Sequence, residues 1–572
     1  MAQATAPTDR DLASVQEARR LAERAKAASP RLAEFSQEQI DRIVDAMAVA
    51  THTRAEEFAK LAVEETGYGV VEDKIQKNLF ASDRVYEFIR PMKTVGVVAR
   101  DDVRKVIEIA EPFGVVAAIV PSTNPTSTAI YKILISLKAR CPIVLSPHPS
   151  AARCITRVAE VMAEAAGRAG APEGAINWMQ TVSLEGTQEL MKHRAVAVIL
   201  ATGGMGLVRA AYSAGKPAYG VGPGNAPCYV ERSADLAKAA GDIIAGKSFD
   251  NGVLCSSPNS VVVDNAVADE VRREFLRQGA YFLAPNEAEV LAAVLVTPQR
   301  LPNPKVVGKS ARHIAEAIGF RVPPETRVLV AELQGVGRDY PLSIEKLCPV
   351  LSYYVVADWH EGCERCIQIL RYGGMGHTMS IHSRNEDVIL EFGLKKPAFR
   401  IVVNTSTTHG SIGMTTGLDP AMTLGCGGYG GNITSDNISP RHLLNIKRLA
   451  YELRPRPGAP AGAGRPAVPP AAATPAPSLP KAPAPPAADG LDAAIVRQQV
   501  SAFLSGRFPA DQPPAAPTQA APAADFVCEE DVRQAVKLGR KIVIGERTIV
   551  TPSARDLAEA HRIFVSATWP RS

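Results

Sequence analysis

The sequence predicts an α/β protein built on doubly wound, mostly parallel sheets. Between residues 105 and 214, segments with β-strand patterns alternate with segments of helical period, which is typical of βαβ units. The length of 572 residues exceeds that of a single domain, so we expect two or three domains. Ligands of such sheets bind beyond the carboxyl ends of the strands.

The elements follow one another in a regular order. Residues 8–90 predict amphipathic helices rich in Ala, Glu and Arg, and a second αβ block is predicted from about 228 to 425. Between these two regions, strands are predicted at 106–110, 114–120, 142–145, 176–178 and 195–201, with helices at 125–139, 150–167, 185–192 and 205–214.

Composition excludes several classes of function. The net charge of +5 is small for this length, and no basic run carries interleaved aromatic residues, so nucleic acid is not an expected partner. The polar N-terminus lacks the apolar core of a signal peptide, and no stretch approaches the ~20 apolar residues of a membrane span. Nine dispersed cysteines predict reduced thiols and a cytoplasmic protein.

The composition changes sharply at 453. Residues 453–488 are predicted to be a Pro/Ala linker, since 12 of the 34 positions from 455 are proline. An amphipathic helix is predicted at 489–508, a second linker at 509–524, and a small ordered segment at 525–572. Within that segment we expect a helix that ends at Gly539, and a hairpin with strands at 542–544 and 548–550. The extension as a whole is expected to be largely disordered.

Cys255 is the candidate nucleophile. It follows Ser248-Phe249-Asp250-Asn251-Gly252 in a loop, where a cysteine alone is more often a small buried apolar residue than a catalyst. Asn124, at the end of a predicted strand, has an amide suited to donate to a developing oxyanion. An Asn-Pro turn is the simpler interpretation of that residue alone.

Glycines at a second strand end indicate a phosphate site. Thr202-Gly203-Gly204 joins a strand to a helix, and such a turn exposes backbone N–H groups at a helix N-terminus. The turn lacks the G-x-G-x-x-G spacing and is weak evidence by itself. The loop that begins at Gly222 is either part of the same site or a plain strand connection.

Eight longer segments carry a resemblance to a family. They are PSTNPTS, VLSPHPSA, ILATGGMGLV, YGVGPGNAP, SFDNGVLCSS, EKLCPVL, GGMGHT and MTLGCGGYGGN, in this order. Over residues 10–450 the chain resembles the aldehyde dehydrogenase superfamily, and more narrowly its CoA-acylating branch. The resemblance implies a Rossmann-like cofactor domain with N-terminal helices (1–227), a catalytic domain (228–425), a return segment used in oligomerisation (426–452), and a homodimer or homotetramer.

The resemblance also implies the roles of the site residues. Cys255 attacks the aldehyde carbonyl, Asn124 and the Cys255 N–H stabilise the oxyanion, and a hydride passes to NAD, with NADP not excluded. No metal is expected, since Cys363 and Cys366 have CxxC spacing but no second pair. His377 is interpreted as structural or substrate-lining. The implied cofactor-binding residues are Ser122, Thr123, Ser146, Pro147, His148, Thr202, Gly203, Gly204, Gly222 and Glu345.

One departure from the hydrolytic members decides the predicted acceptor. Their glutamate base aligns with Val221, 34 residues before Cys255. Valine cannot deprotonate water, whereas a thiol is already part thiolate near neutral pH. Coenzyme A is therefore the predicted co-substrate, and a hydrolytic enzyme with another base is the alternative.

The tail adds a predicted location. A proline-rich spacer followed by a short amphipathic helix resembles the encapsulation peptides of bacterial microcompartment cargo, so 489–508 is expected to bind a shell or other cargo. Packing of that helix on the protein's own core is the alternative. By association, propanal is the first expected substrate and acetaldehyde the second. The alternative from a different functional class is an assembly protein whose active site is vestigial.

Overall fold

The computed structural model describes residues 9–454, 524–527, 529–550, 554, 557–558, 561 and 563–566. The chain divides into two compact units, 1–460 and 461–572, which are described separately. The predicted helix at 489–508 and nearly all of the two linkers beside it lie outside the described residues. Within the described residues, no helix combines the length and apolarity needed to cross a membrane.

The first unit begins with the predicted helices. Asp9 caps the first of them by accepting from the Asp11 N–H at 3.0 Å, and Ser36 and Gln39 form a capping box on the second. The fourth helix continues through a π-helical turn, Phe80–Arg84, into the fifth. The helices are α1 (Arg10–Ala33), α2 (Gln37–His52), α3 (Ala55–Thr66), α4 (Val71–Leu79) and α5 (Val85–Ile89).

Two strands that follow belong to a separate small sheet. The strand β2 lies between β1 and a strand from the end of the unit, β15, and both pairings are antiparallel. The sequence grouped the segment near 106–110 with the parallel series. The chain instead leaves this sheet at Gly114, whose φ of +127° favours glycine, and enters the fully buried strand β3 (Val115–Val120). The strands are β1 (Gly96–Asp101), β2 (Val106–Pro112) and β15 (Leu444–Ala450).

A five-stranded parallel sheet forms the core of the first half of the unit. Its order is β5-β4-β3-β6-β7, and every residue of β3, β4 and helix α6 is buried. This sheet matches the predicted βαβ series. Its elements are β3 (Val115–Val120), α6 (Pro125–Lys138), β4 (Ile143–Pro147), α7 (Ala152–Arg168), β5 (Ile176–Trp178), α8 (Leu184–Lys192), β6 (Val196–Thr202), α9 (Met205–Tyr212) and β7 (Ala218–Val221).

A seven-stranded parallel sheet follows, with order β10-β11-β12-β9-β8-β13-β14. It corresponds to the second predicted αβ block. Its elements are β8 (Ala226–Val230), α10 (Leu236–Ser248), β9 (Pro258–Asp264), α11 (Ala268–Arg277), β10 (Ala280–Phe282), α12 (Pro285–Leu295), α13 (Ala311–Ala317), β11 (Val328–Glu332), β12 (Val350–Val356), α14 (Trp359–Tyr372), β13 (Gly376–His382), α15 (Glu386–Lys395), β14 (Ala398–Val403) and α16 (Thr407–Ser411).

The second unit contains a helix, α17 (Glu529–Lys537), and a three-stranded sheet of β16 (Ala524–Val527), β17 (Ile542–Val550) and β18 (Phe564–Ser566). The predicted hairpin is wrong: residues 542–550 form one strand, parallel to both neighbours. The register shifts where β17 passes β16, between Ile544 and Ile549, and the chain continues in the same direction on both sides of the shift. Gly539, with φ of +63°, follows the helix as predicted.

Candidate active site

A cleft of about 470 Å³ lies at the carboxyl ends of the strands of the five-stranded sheet. Its wall includes loops from both parallel sheets of the first unit. All twelve residues that the sequence singled out contribute to it, although they are spread over more than 220 positions: Ser122, Thr123, Asn124, Ser146, Pro147, His148, Thr202, Gly203, Gly204, Gly222, Cys255 and Glu345.

Cys255 lies in the connection between α10 and β9. The connection begins with a 3₁₀ turn, Phe249–Gly252, in which Asp250 and Asn251 have φ of +48° and +52°. Such left-handed backbone is costly for residues with a Cβ and persists only where the surroundings fix it. Cys255 as a residue is half-buried, and the other described cysteines are buried.

The neighbouring loop holds the Cys255 backbone closely. A Cβ at Gly224 would lie 2.1 Å from the Cys255 carbonyl oxygen, so only glycine fits there. The Asn259 amide donates to the carbonyls of Gly224 and Ser257, both at 3.1 Å. The nucleophile loop and the Gly222 loop are thereby fixed to each other.

Electrostatics keep the Cys255 thiol protonated in this state. Burial first, and then the negative charge of Glu345, raise the pKa of Cys255 to about 12, while Arg400 acts in the opposite direction. The nucleophilic thiolate is therefore a minor species at neutral pH.

Asn124 precedes α6 and is 8% exposed. Its Oδ1 accepts from the Lys77 ammonium at 2.7 Å, and its Nδ2 donates weakly to the Thr123 hydroxyl at 3.3 Å. Because the amide oxygen already accepts from Lys77, the amide NH₂ group is the part of Asn124 that can donate to a ligand in the cleft. This geometry suits an oxyanion donor.

The glycine turn fits the pyrophosphate of a dinucleotide. Helix α9 begins after Gly204 without a side-chain cap, so its first N–H groups have no side-chain acceptor. The buried Thr202 hydroxyl also has no partner, and a Cβ at Gly204 would meet nothing within 4 Å. Open space in front of unpaired donors at a helix N-terminus is a site for an anion.

Ser146 and His148 form the neighbouring wall of the cleft. The Ser146 hydroxyl is buried and hydrogen-bonded to Thr187 at 2.8 Å. The His148 Nδ1 accepts the Ser150 N–H at 3.2 Å, and burial lowers the pKa of His148. His148 is therefore neutral at pH 7.

Glu345 is joined to the loop beside Cys255. Its Oε1 accepts the Gly224 N–H at 2.8 Å. Burial raises the pKa of Glu345 to about 7, with that hydrogen bond and Lys247 opposing the shift. A carboxyl group that titrates near neutrality thus lies in the cleft with the thiol.

Val221 ends β7, lines the cleft and is 2% exposed. It contributes only methyl groups to the cleft, at the position where the family resemblance implies the base of hydrolytic members. His377 is buried near Gly224, and burial lowers its pKa to about 3, so it is a neutral ring whose Nε2 has no partner. Cys363 and Cys366 lie buried on α14.

Sequence reasoning missed a buried charged cluster behind the site. Lys74 and Lys77 on α4 meet Asp250 of the nucleophile loop, more than 170 positions away along the chain. Two lysines three positions apart on one helix face, in a region predicted as amphipathic, were the only signal. Nothing in the sequence indicated which carboxylate would pair with them.

Comparison with families and curated proteins gives a consistent result. Residues 4–284 match the model described as "Aldehyde dehydrogenase family". The bifunctional aldehyde-alcohol dehydrogenase of Escherichia coli K12 is 43% identical over 76% of this chain, and the chain spans about half (50%) of its length. An acetylating succinate-semialdehyde dehydrogenase from Clostridium kluyveri is 39% identical over 75% of this chain and 95% of its own.

Solved structures are similar over the same region. An acetylating aldehyde dehydrogenase from Geobacillus thermoglucosidasius has a TM-score of 0.78 and 50% identity, over 79% of this chain and 100% of its own. A propionaldehyde dehydrogenase from the Clostridium phytofermentans fucose utilisation microcompartment has a TM-score of 0.68 and 29% identity, over 75% and 96%. A propionaldehyde dehydrogenase from Rhodopseudomonas palustris was solved with bound CoA and an acylated cysteine. It has a TM-score of 0.68 and 26% identity, over 76% of this chain and 96% of its own.

The two parallel sheets and the comparisons together define a class of oxidoreductases that act on aldehydes. The chain belongs to the acylating branch of the aldehyde dehydrogenase family. This result confirms the fold class and the family predicted from the sequence. The roles of the individual site residues remain predictions.

Proposed function

We propose that this protein oxidises a short-chain aldehyde to its acyl-CoA through a thioester on Cys255. The observation that carries the proposal is that Cys255, Asn124 and Val221 share one cleft: a nucleophile, an oxyanion donor, and an apolar side chain where a water-activating base would be needed. Propanal is the first proposed substrate and acetaldehyde the second.

The proposed chemistry begins with the thiolate of Cys255, which forms a bond to the aldehyde carbon while the carbonyl electron pair moves onto oxygen. The Asn124 Nδ2 and the Cys255 N–H donate to that oxygen. A nicotinamide cofactor held by the glycine turn at Thr202-Gly203-Gly204 would supply the acceptor for the hydride that leaves the same carbon. The carbonyl re-forms, which leaves an acyl group on the Cys255 sulfur.

Release of the acyl group is proposed to need coenzyme A. Its thiolate attacks the thioester, a new sulfur–carbon bond forms, and the bond to Cys255 breaks to return the thiolate. Val221 offers no atom that accepts a proton from water, which supports this acceptor. Similarity to proteins described as acetylating, and to one with bound CoA, supports it further.

NAD is the proposed cofactor. The described residues that line the cleft include neither lysine nor arginine, and His148 is neutral. The 2′-phosphate of NADP would therefore lack a cation at this wall, whereas the ribose hydroxyl of NAD needs none.

The alternative is a hydrolytic enzyme that uses another base, for which Glu345 is the candidate because burial raises its pKa to about 7. The test is NADH formation from propanal with and without CoA. We expect sustained turnover with CoA only, and propionyl-CoA as the product. Full turnover to the free acid without CoA would reject the acylating proposal.

An assembly role with a vestigial site is the alternative from a different class. Cys255→Ala separates the two, because removal of the nucleophile abolishes a covalent mechanism. Cys426→Ala, which removes another described thiol of the first unit, is the matched control. If the wild-type protein turns over no aldehyde with any cofactor, or if Cys255→Ala remains active, the proposed mechanism is wrong.

We further propose a cytoplasmic, microcompartment-associated homo-oligomer, a dimer or tetramer, in which residues 489–508 bind the shell or other cargo. Support comes from the sequence of that segment and from similarity to an enzyme of a microcompartment. Deletion of 489–508 is expected to retain activity but abolish co-purification with shells. Unchanged co-purification would remove the role from this segment.

A further inference from the structure

Lys77 joins the two halves of the candidate active site. It lies on α4 and is 1% exposed. Its ammonium donates to Asn124 Oδ1 at 2.7 Å and makes a short contact with a carboxylate oxygen of Asp250. Asn124 lies in the connection between β3 and α6, and Asp250 lies in the loop that carries Cys255, so one buried group contacts both.

The chemistry of lysine fixes the orientation of the Asn124 amide. An ammonium has three donors and no acceptor, so the amide must present its oxygen to Lys77 and its NH₂ to the other side. Burial lowers the pKa of Lys77 to about 8 and Asp250 opposes that shift, so the group is charged at pH 7. The rotated amide would place two N–H groups against an ammonium and an acceptor oxygen in the cleft.

Asp250 fixes Lys77 in turn. The carboxylate is fully buried and accepts from the Lys74 ammonium at 2.9 Å and from the Val70 N–H at 2.7 Å. A Cβ at Gly69 would lie 1.8 Å from Asp250 Oδ1, so the backbone of this segment fits closely around the carboxylate. A buried carboxylate between two ammonium groups favours this arrangement, because another arrangement would leave a buried charge unpaired.

We propose that Lys77 is a positioning residue that sets the Asn124 amide for oxyanion stabilisation and links it, through Asp250, to the loop of Cys255. This inference rests on the proposed function of Asn124. It assigns Lys77 no contact with the substrate. Its effect on catalysis is expected to pass through Asn124 alone.

The test compares Lys77→Met with Lys74→Met, each in the wild-type and the Asn124→Ala background. Both lysine variants remove one ammonium from the same helix and leave the other beside Asp250, so neither leaves that carboxylate without a cation. Lys74 also donates to the Thr123 backbone carbonyl at 3.3 Å, but only Lys77 donates to the Asn124 side chain. The readouts are kcat for NADH formation from propanal and CoA, KM for NAD, and the rate at which iodoacetamide alkylates Cys255.

Asn124→Ala is expected to lower kcat by about 10²–10³-fold, as for other oxyanion donors. Lys77→Met should lower kcat by at least about tenfold with unchanged KM for NAD and unchanged alkylation, and should cause no further loss in the Asn124→Ala background. The Lys74→Met effect, whatever its size, should be the same factor in both backgrounds.

Two outcomes would overturn the inference while the function of the site survives: Lys77→Met with wild-type kcat, or a Lys77→Met loss that is equally large without the Asn124 amide. A normal kcat in Asn124→Ala would instead reject the proposed oxyanion donor itself. If Lys77→Met does not fold, Lys77→Gln replaces it, since that side chain is one bond shorter and does not reach Asn124.

Discussion

Thr202 and Val221 are register partners at the carboxyl ends of β6 and β7, and both line the cleft that contains Cys255. One strand end therefore presents a hydroxyl without a partner, next to the glycine turn, while its neighbour presents methyl groups. The family resemblance implies that hydrolytic members carry their base at the second position. The side chain at position 221, beside the cofactor turn, is therefore proposed to decide whether water or CoA accepts the acyl group.

A carboxylate at this position should restore hydrolysis in part. For Val221→Glu we expect CoA-independent NADH formation from propanal to increase by about tenfold, a fraction of what a well-placed general base supplies. The increase should appear as pH rises through the pKa of the new carboxyl, which burial will raise, because only the ionised form accepts a proton. The measurement is NADH and free propionate without CoA, from pH 6 to 9.

Val221→Gln is the control for this experiment. It has nearly the same shape as glutamate but no basic oxygen, so it should leave CoA-independent turnover at the wild-type level. Equal gains in both variants would mean that water gains entry to the cleft without a base. No gain from glutamate would show that position 221 does not face the thioester.

The state of the Cys255 thiol should depend on Glu345. The carboxylate raises the pKa of Cys255, and its own pKa is raised to about 7, so the repulsion is present above pH 7 and disappears as Glu345 becomes protonated below it. Glu345→Gln should therefore speed iodoacetamide alkylation of Cys255 at pH 8, by about tenfold for each unit of pKa removed. Peptide mass spectrometry at Cys255 measures the rate.

The same variant should behave like wild type at pH 5.5, where Glu345 is already neutral. Glutamine keeps an oxygen for the Gly224 N–H, so the loop geometry is retained. Glu345→Asp, which keeps the charge, is the matched control and should stay close to wild type at both values. Equal alkylation rates for Glu345→Gln and wild type at pH 8 would show that burial alone raises the pKa of the Cys255 thiol.

The proximity of nine of the twelve cleft residues was predictable, because these nine follow predicted parallel strands, which end at one edge of a sheet. Once the βαβ alternation placed Asn124, Ser146 and Thr202 after strands of one parallel sheet, their proximity followed from topology. Cys255 and Glu345 come from the other sheet, and for these the family resemblance supplied what periodicity does not contain. The strand pattern predicted that the loops meet, but not which atoms touch.

The charged cluster behind the site was not predictable for a physical reason. Lys74 and Lys77 satisfy the pattern of a solvated helix face equally well, and their burial depends on Asp250, more than 170 positions away. The misplaced strand near 106 and the wrong hairpin at 542–550 have the same origin. Period-two patterns predict a strand but do not indicate its partner or direction.

A substitution at Gly204 tests the cofactor turn without disturbing the fold. A Cβ at this position meets nothing within 4 Å, and its φ of −65° suits any residue. If a pyrophosphate lies over the helix N-terminus, the methyl group of Gly204→Ala displaces it, and KM for NAD should increase about tenfold or more, the loss of one charge-assisted hydrogen bond. Gly206 is the second residue of α9 and also faces open space, and Gly206→Ala should leave KM for NAD unchanged. Equal KM values for all three proteins would place the pyrophosphate elsewhere.

Cofactor preference should respond to charge at His148. The wild-type enzyme is expected to favour NAD over NADP by at least about tenfold in kcat/KM, because a phosphate group without a cation is poorly bound. His148→Arg supplies a permanent charge at the same wall of the cleft and should raise kcat/KM for NADP while leaving that for NAD within about threefold, whereas His148→Gln should change neither preference. Kinetics with each cofactor at pH 7.5, where His148 is neutral because burial lowers its pKa, give the measurement. A wild-type preference for NADP, or an arginine variant with no gain, would show that the 2′ position of the ribose does not face His148.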